Sequence, residues 1–270
     1  MNRPVLSFSL AVLCLLSFVP AAFCGGVAGQ EIINDGQDRT RPLTRFDVRY
    51  EYNRLPHKTD QSIITFRVDK PFTLSPEWLA FGRIDVPLVA GDMVMSDNPT
   101  GRTQFTSGEI LTENYLAWLP NDRLGIAAGS QFIWPTAYFD QGGAGKYQFL
   151  PFVGARYFIH EISRGTYILP SVQYAMDYAG SSSRPHIRQI KFAPTFHVIL
   201  PEKYFLELYS SETMLYDFKA RAWSIPFNFM AGKMLTENIV VSAEFFFPMF
   251  RTNKYEPDDF WVEARVGVFF

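Results

Sequence analysis

The last eleven residues of the chain, 260–270, alternate between apolar and mixed side chains. Counting back from the end, every second residue is apolar: Phe270, Val268, Val266, Ala264, Val262 and Phe260. The interleaved residues contain a pair of opposite charges, Glu263 and Arg265. A period of two is that of a β-strand with one apolar and one polar face. A tilted strand of about ten residues is long enough to cross the hydrocarbon core of a bilayer.

This ending resembles the C-terminal signal of bacterial outer-membrane barrels, an alternating strand that ends in an aromatic residue, usually Phe. The resemblance implies a partner, the barrel-assembly machinery that reads the strand. The membrane-insertion signal would consist of Phe260, Val262, Val266, Val268 and Phe270. The alternative is an edge strand of a soluble sandwich, and the rest of the chain has to decide between the two.

The same alternation recurs along most of the chain. It is clearest in residues 43–52, where the apolar or aromatic side chains of one face oppose a face of charged side chains, Arg45, Asp47, Arg49 and Glu51. Period-two segments predict twelve strands, an even number as in single-chain bacterial barrels. They cover residues 43–52, 62–71, 78–88, 109–119, 124–134, 146–158, 166–178, 188–200, 204–210, 222–231, 238–249 and 260–270.

The composition agrees with strands that contact lipid. Aromatic residues make up 16% of the 270 residues and charged residues 19%. After the N-terminus no stretch reaches the roughly 18 consecutive apolar residues that a membrane-spanning helix needs. Only alternate residues of a barrel strand touch lipid, so a barrel needs many aromatic residues but no long apolar run. The predicted fold class is therefore all-β, an antiparallel up-and-down transmembrane β-barrel with lipid of the outer membrane around it.

The predicted connections alternate between short turns and longer polar loops. The short turns cover 74–77, 119–122, 200–203 and 235–238, and the longer loops cover 91–108, 139–145, 180–185, 211–221 and 251–259. Outer-membrane barrels have short turns on the periplasmic side and longer loops outside. With an even number of strands, both ends of the barrel chain are expected in the periplasm.

The first 29 residues have the pattern of a secretory signal peptide. Arg3 precedes an apolar core, 5–19, which is followed by small residues. We therefore expect export through the inner membrane and a bacterial outer-membrane location. The predicted organisation is a signal peptide, 1–29, a polar periplasmic lead-in, 30–42, and a barrel, 43–270.

The two cysteines, Cys14 and Cys24, lie in or beside this signal. A mature chain without cysteine has no disulfide and no thiol chemistry. A lipoprotein site at Cys24 is the alternative, and it is disfavoured because Phe23 stands where such a site has a small residue.

Prolines conflict with an unbroken ladder, because proline has no N–H to donate. Seven of them fall inside or near predicted strands: Pro87, Pro135, Pro151, Pro170, Pro194, Pro226 and Pro248. We expect them near strand ends or at bulges.

Charged residues on the polar faces would point into the barrel. Both signs occur in similar number, as at the constriction of a narrow pore for polar solutes. Paired across the lumen, the same charges would close it, and a twelve-stranded barrel lies between the filled and the open sizes. The predicted pore-lining residues are Arg45, Asp47, Arg49, Glu51, Arg67, Asp69, Arg83, Asp85, Glu113, Arg156, Asp177, Lys191, His197, Glu207, Glu244, Glu263 and Arg265.

Catalytic and cofactor sites are not predicted. Outer-membrane lipases need a Ser–His pair on the lipid side, whereas His197 faces inward and His57, His160 and His186 fall in loops or turns. No metal spacing or phosphate loop is present. Asp92, Asp97 and Glu109 could bind a cation, but a solvated loop is the favoured explanation for them. The formal net charge of −2 gives no indication of nucleic-acid binding.

Short motifs between residues 80 and 270 resemble the meta-pathway phenol-degradation family of outer-membrane proteins. They are Trp223-Ser-Ile-Pro226 followed by Gly232-Lys233, Gln148-Phe-Leu-Pro-Phe-Val-Gly154, Arg83-Ile-Asp-Val-Pro87, and Phe247-Pro248 with Trp261, Arg265 and Phe270. The glycine-rich segment before the family's second hairpin is reduced here to Ser107-Gly108-Glu109. The resemblance implies a narrow channel or transporter for small, often aromatic or hydrophobic, molecules. The alternatives are a plugged structural or adhesive barrel and a lipid-modifying barrel enzyme.

Overall fold

The computed structural model describes residues 34–55, 59–211, 213–252 and 259–270. The predicted signal peptide and residues 30–33 of the lead-in lie outside this range. Two short 3-10 turns, Asp140–Gly142 and Pro201–Lys203, accompany fourteen strands. The strands are β1 (Arg45–Leu55), β2 (Thr59–Thr73), β3 (Trp78–Gly91), β4 (Gln104–Ser107), β5 (Ile110–Trp118), β6 (Leu124–Trp134), β7 (Lys146–Phe158), β8 (Tyr167–Gly180), β9 (Arg188–Ile199), β10 (Tyr204–Leu208), β11 (Met214–Asp217), β12 (Ala222–Met234), β13 (Ile239–Arg251) and β14 (Phe260–Phe269).

These strands form one closed antiparallel barrel with twelve strand positions. The sheet closes because β1 pairs with β14 over ten residues, from Arg45 opposite Phe269 to Arg54 opposite Phe260. Two positions each hold two short strands. β4 and β5 both pair with β3, and β10 and β11 both lie between β9 and β12. The predicted fold class is confirmed.

The alternation of each strand separates an apolar outer face from a charged inner face. In β1, Phe46, Val48 and Tyr50 are exposed, whereas Arg45 and Asp47 are buried. A soluble sandwich would bury its apolar face and hydrate its charges. This barrel does the reverse, because its apolar side chains point to the outside and its charges to an enclosed axis.

The terminal strand follows the same rule. Val266 and Phe260 are exposed on the outer face, and Trp261 and Arg265 are buried on the inner face. The predicted face assignment of the last strand therefore agrees with the structure.

The connections at one end of the barrel, the short-turn rim, are 74–77, 119–123, 159–166, 200–203 and 235–238. The other end, the long-loop rim, carries the β3–β5 connection with β4, the loops 135–145 and 181–187, and the ends of β13 and β14 that are joined by the next connection. Among the fully described connections, two depart from the expected lengths. Residues 159–166 form a longer link at the short-turn rim, and 218–221 form a short one at the long-loop rim.

Several prolines lie further inside strands than expected. Pro170 stands directly opposite Pro194, and Pro226 opposite Pro248. The ladder has gaps or shifts beside them. The β7–β8 pairing skips from Gly154–Ser171 to Tyr157–Ile168, and the β12–β13 register shifts at Pro226. The missing N–H groups are thus accommodated by local interruptions of the ladder.

The break between β10 and β11, residues 209–213, lies between two of these prolines, Pro194 on β9 and Pro226 on β12. Tyr209 has a positive φ of 54°. Its carbonyl accepts a hydrogen bond from Thr195 Oγ1 at 2.7 Å, and its hydroxyl donates to the Pro226 carbonyl at 3.0 Å. The predicted strand 204–210 therefore ends earlier, at Leu208.

The described part of the lead-in, 34–44, folds into the barrel at the short-turn rim. Asp35, Asp38 and Thr40 are buried, and Arg41 Nη2 lies 3.3 Å from the carbonyl of Asp122 in the turn 119–123. The sequence predicts a loose periplasmic lead-in, whereas the described part of this segment packs inside the barrel. The reason is that its polar groups find partners among the charges of the barrel wall.

Within the described residues, no helix has both the length and the apolar character needed to cross a membrane.

Candidate functional site: the charged lumen

Rows of side chains with alternating charge run across the inner face from strand to strand. The register places Arg45 of β1 opposite Asp69 of β2, Asp69 opposite Arg83 of β3, and Arg83 opposite Glu113 of β5. Arg45 Nε lies 2.6 Å from Asp69 Oδ2, and Arg83 Nε lies 2.8 Å from Asp69 Oδ1. Arg83 Nη1 lies 3.5 Å from Glu113 Oε2. Each buried charge of this row therefore has an opposite charge beside it.

The row continues through neutral amides. Gln131 of β6 donates to Glu113 Oε2 at 2.6 Å, and Gln173 of β8 donates to Gln131 Oε1 at 2.9 Å. These amides extend the polar network over the next part of the wall without adding charge.

A second row lies one step closer to the long-loop rim. It aligns Asp47, Arg67 and Asp85 across β1, β2 and β3. Arg67 Nε donates to Asp85 Oδ1 at 2.7 Å. Arg49 connects this row to the seam of the barrel, at 3.2 Å from both Asp47 and Glu263. Burying a charge is costly unless it is paired, so the alternating register is what allows so many charges inside.

The lead-in is bound to this wall at several points. Arg45 Nη1 donates to the Gly36 carbonyl at 2.8 Å, and Arg156 Nε donates to Thr40 Oγ1 at 3.0 Å. An ion pair joins Arg156 to Asp38 at 3.5 Å, and His197 Nε2 lies 3.3 Å from Asp35 Oδ2. The lead-in therefore fills the short-turn end of the lumen.

Above the lead-in lies a cavity of about 300 Å³ with two different sides. Arg49, Arg67 and Arg83 line one side together with their carboxylate partners. The other side carries an apolar patch, formed by Leu111, Tyr115, Phe152, Leu169 and Ala193, among polar side chains such as Gln173, Lys191 and Thr195.

The aromatic residues of this apolar side are packed against one another. The Phe81 and Tyr115 rings stack with centroids 4.4 Å apart, and Phe152 meets Tyr115 edge-on at 5.8 Å. Arg39 of the lead-in lies over the Phe152 ring at 5.7 Å. The cavity thus offers cations and an aromatic surface within one small space.

The structure brings about half of the predicted pore-lining residues to this cavity. Those that border it are Arg45, Arg49, Arg67, Asp69, Arg83, Asp85, Lys191, Glu207 and Glu244. Asp47, Glu113, Arg156, His197, Glu263 and Arg265 are buried in the ion pairs and packing around it. That these residues line a conducting pore remains a prediction.

Two predicted residues lie elsewhere. Asp177 is at the long-loop rim, 3.5 Å from Lys146 Nζ and 2.8 Å from His186 Nδ1. Glu51, near the same rim, accepts a hydrogen bond from Asn53 at 2.7 Å.

Sequence analysis missed the contribution of Asp35, Asp38 and Arg39 from the lead-in. These residues precede the first alternating segment, so periodicity carries no signal for them. The apolar side of the cavity was also missed. A signal for it existed, because Phe152 occupies the same strand face as Gln148 and Arg156.

The acidic residues near the long-loop rim stabilise connections. Asp92 Oδ1 accepts from the Asp60 N–H at 2.8 Å, Asp97 Oδ2 from the Asp140 N–H at 2.7 Å, and Glu109 Oε1 from the Gly145 N–H at 2.7 Å. Within the described ranges no group of three or more His, Cys, Asp or Glu residues is arranged to hold a metal ion.

A closed antiparallel barrel of twelve strands, apolar outside and charged inside, defines an outer-membrane-type β-barrel. No protein-family model matches the chain. No curated protein sequence matches it significantly.

Solved structures do match this fold. An outer membrane channel from Pseudomonas putida F1 superposes with a TM-score of 0.65 at 12% identity, over 84% of this chain and 95% of that one. NanC porin gives a TM-score of 0.52 at 12% identity, over 83% and 98% of the two chains. KdgM porin gives 0.50 at 9% identity, over 84% and 99%. At these identities the likeness concerns the fold.

Proposed function

We propose that this protein is a narrow outer-membrane channel for small molecules, with its short-turn rim and lead-in facing the periplasm. The observation that carries the proposal is the cavity of about 300 Å³ inside a closed barrel whose inner wall is charged. The fold shared with an outer membrane channel and two porins supports it.

The two sides of the cavity suggest the class of solute. An apolar or aromatic body fits against Tyr115, Phe152 and Leu169, while a polar group on the same molecule would meet the arginines opposite. At about 30 Å³ per water molecule, the space is equivalent to roughly ten waters, which suits a compound with one aromatic ring. The motifs that resemble the phenol-degradation family favour the same class of molecule.

The proposed membrane location rests on the apolar side chains of the outer surface. Aromatic and aliphatic side chains are exposed around the barrel, for example Phe66, Val153 and Trp223. Because these side chains would aggregate in water, the surface needs lipid around it. Together with the predicted signal peptide and insertion signal, this surface supports a location in the bacterial outer membrane, reached after recognition by the assembly machinery.

The test is electrical conductance of the folded protein in planar bilayers, together with swelling of liposomes in small solutes. We expect a small unit conductance for the native chain. Because Arg49 borders the cavity, Arg49→Gln should shift the reversal potential in a salt gradient towards cations. Arg123→Gln, in an exposed pair with Glu161 at the short-turn rim, is the matched control and should not change it.

A folded barrel with neither conductance nor swelling would favour the second candidate, a plugged structural barrel. The lead-in contacts are the specific observation in its favour, because they fill one end of the lumen. Enzymatic function has less support. Among the described residues, His197 faces the lumen, His186 bonds Asp177, and neither hydrogen-bonds a serine.

A further inference from the structure

His197 of β9 joins the lead-in to the barrel wall through both of its ring nitrogens. Nδ1 lies 2.7 Å from Glu207 Oε2 on β10, and Nε2 lies 3.3 Å from Asp35 Oδ2 of the lead-in. The second contact is a close approach rather than a well-aligned hydrogen bond, and it is an ion pair only when the imidazole is protonated. All three side chains are almost fully buried, with His197 only 1% exposed.

With both carboxyl groups ionised, this geometry favours a second proton on the imidazole. A neutral ring has one N–H donor and one acceptor nitrogen, whereas carboxylates can only accept. A neutral His197 between ionised Glu207 and Asp35 would therefore direct a lone pair at one carboxylate. An imidazolium donates to Glu207 through Nδ1, places its Nε2–H beside Asp35, and neutralises part of the charge of both carboxylates.

The rings on either side of His197 suit a cation. The Tyr167 ring stacks on it with centroids 4.6 Å apart and planes 12° apart, and the Phe205 ring lies at 5.7 Å and 27°. An aromatic face attracts a positive charge, and more strongly where water is excluded.

Two arginines of the neighbouring elements lie near these acids, and each also interacts with another carboxylate. Arg265 of β14 interacts with Asp35 but also with Asp47. Arg156 of β7 pairs with Asp38 of the lead-in at 3.5 Å. The Tyr167 hydroxyl on β8 has no hydrogen-bond partner among the described residues.

Glu244 of β13, the remaining acid on this side of the wall, accepts from Asn228 Nδ2 at 2.7 Å and from the hydroxyls of Ser210 and Ser211. Without the proton on His197, Glu207 would have no ion-pair partner among the described residues, and Asp35 would depend on Arg265, which also interacts with Asp47.

We infer that His197, as an imidazolium, is a positioning residue that holds the lead-in inside the lumen, and that its deprotonation releases the lead-in. The proton passes to water in the adjoining cavity of about 110 Å³, which Asp35, Tyr167 and His197 line. Asp35 and Glu207 then repel each other across a neutral ring. The inference deepens the proposed channel function and rests on it for its consequence, the opening of the short-turn end.

Hydrogen exchange of the lead-in amides, followed by mass spectrometry on the full folded protein, tests the inference without any solute passage. A protein that fails to conduct would leave this measurement interpretable. Rates are corrected for the intrinsic pH dependence of exchange. From about pH 6 to about pH 10, which spans and exceeds the ordinary titration of imidazole near 6.5, we expect protection of residues 35–44 to fall at least tenfold.

Three variants distinguish the effect of protonating His197 from the effect of its packing contacts. His197→Gln should lower protection already at about pH 6 and abolish the pH dependence. Asp35→Asn, whose amide can hydrogen-bond a neutral imidazole, should stay protected across the range. His186→Gln, at the opposite rim, should behave as the native chain does.

Two results would overturn the inference. One is a pH-independent native profile, even with a loosened His197→Gln variant, since His197 would then act by packing alone. The other is an Asp35→Asn variant that loses protection over the same pH range as the native chain.

Discussion

Arg49 of β1 and Glu263 of β14 form an ion pair at 3.2 Å across the seam where the first and last strands close the barrel. The two residues are far apart in sequence and stand on strands that the register aligns, with Arg49 opposite Arg265 and Glu51 opposite Glu263. The pair therefore joins the two ends of the barrel chain from the inside.

Removing one partner of this pair should destabilise the barrel. Glu263→Ala leaves the Arg49 guanidinium with only Asp47, so we expect the free energy of unfolding in lipid vesicles to fall by about 2–3 kcal/mol. A denaturant titration, monitored by tryptophan fluorescence, measures this free energy of unfolding. Glu161→Ala, which breaks the exposed pair with Arg123, is the control and should cost less than about 1 kcal/mol. Equal costs would show that the seam pair is as hydrated as the exposed one.

The two faces of β14 should respond differently to charge. Val266→Arg places a cation on the lipid side, at a cost of about 2–4 kcal/mol near the midplane, and should block assembly. Arg265→Gln changes a lumen residue whose distance to Asp47 is 4.0 Å, and should be tolerated. The measure is the fraction of heat-modifiable folded barrel in outer membranes. Equal tolerance of both changes would contradict the face assignment.

Gly129 of β6 should accept no side chain. An added Cβ would overlap the Asn114 carbonyl and the backbone and Cβ of Tyr115 on β5. We expect Gly129→Ala to cost about 1–3 kcal/mol, because Tyr115 would have to leave its stack on Phe81. The matched control is Gly82→Ala, where the nearest atom, Asn114 Oδ1, is 3.7 Å away. Thermal unfolding of both variants checks the difference, and an unchanged Gly129→Ala would show that β6 shifts freely.

Deleting residues 34–42 should open the short-turn end of the lumen. The barrel keeps its strands, because the deleted segment supplies none of them. We expect the unit conductance in planar bilayers to rise several-fold. Deletion of 182–184, in a loop of the long-loop rim, is the control and should leave the conductance near the native value. Conductance that stays native without the lead-in would mean that another element limits the passage.

Period-two alternation accounts for what could be predicted. The faces of β1 and β14 follow from residues such as Val48 and Arg49, because neighbours along a strand point to opposite sides. Neither the insertion of the lead-in into the lumen nor the break between β10 and β11 can be predicted from such a local pattern. Asp35 meets His197 and Glu207 only once the barrel is closed.

The break after Leu208 likewise depends on distant residues. Pro194 and Pro226 flank it on two other strands, and proline positions in one strand do not reveal which neighbour loses its hydrogen bonds. The predicted strand ran past this point because Tyr209 and Ser210 continue an ordinary strand composition.

The alternating rows also bear on the order in which the molecule assembles. The row of Arg45, Asp69, Arg83 and Glu113 draws all its members from the first four strand positions, so these strands become electrically neutral as soon as they pair. Glu263 has no such neighbour on β13, where Glu244 stands opposite it. The residue that pairs with it, Arg49, lies on β1 at the beginning of the barrel. Because Arg265 stands on the same face of β14, the strand is neutral overall, but Glu263 gains its direct ion-pair partner only when the barrel closes.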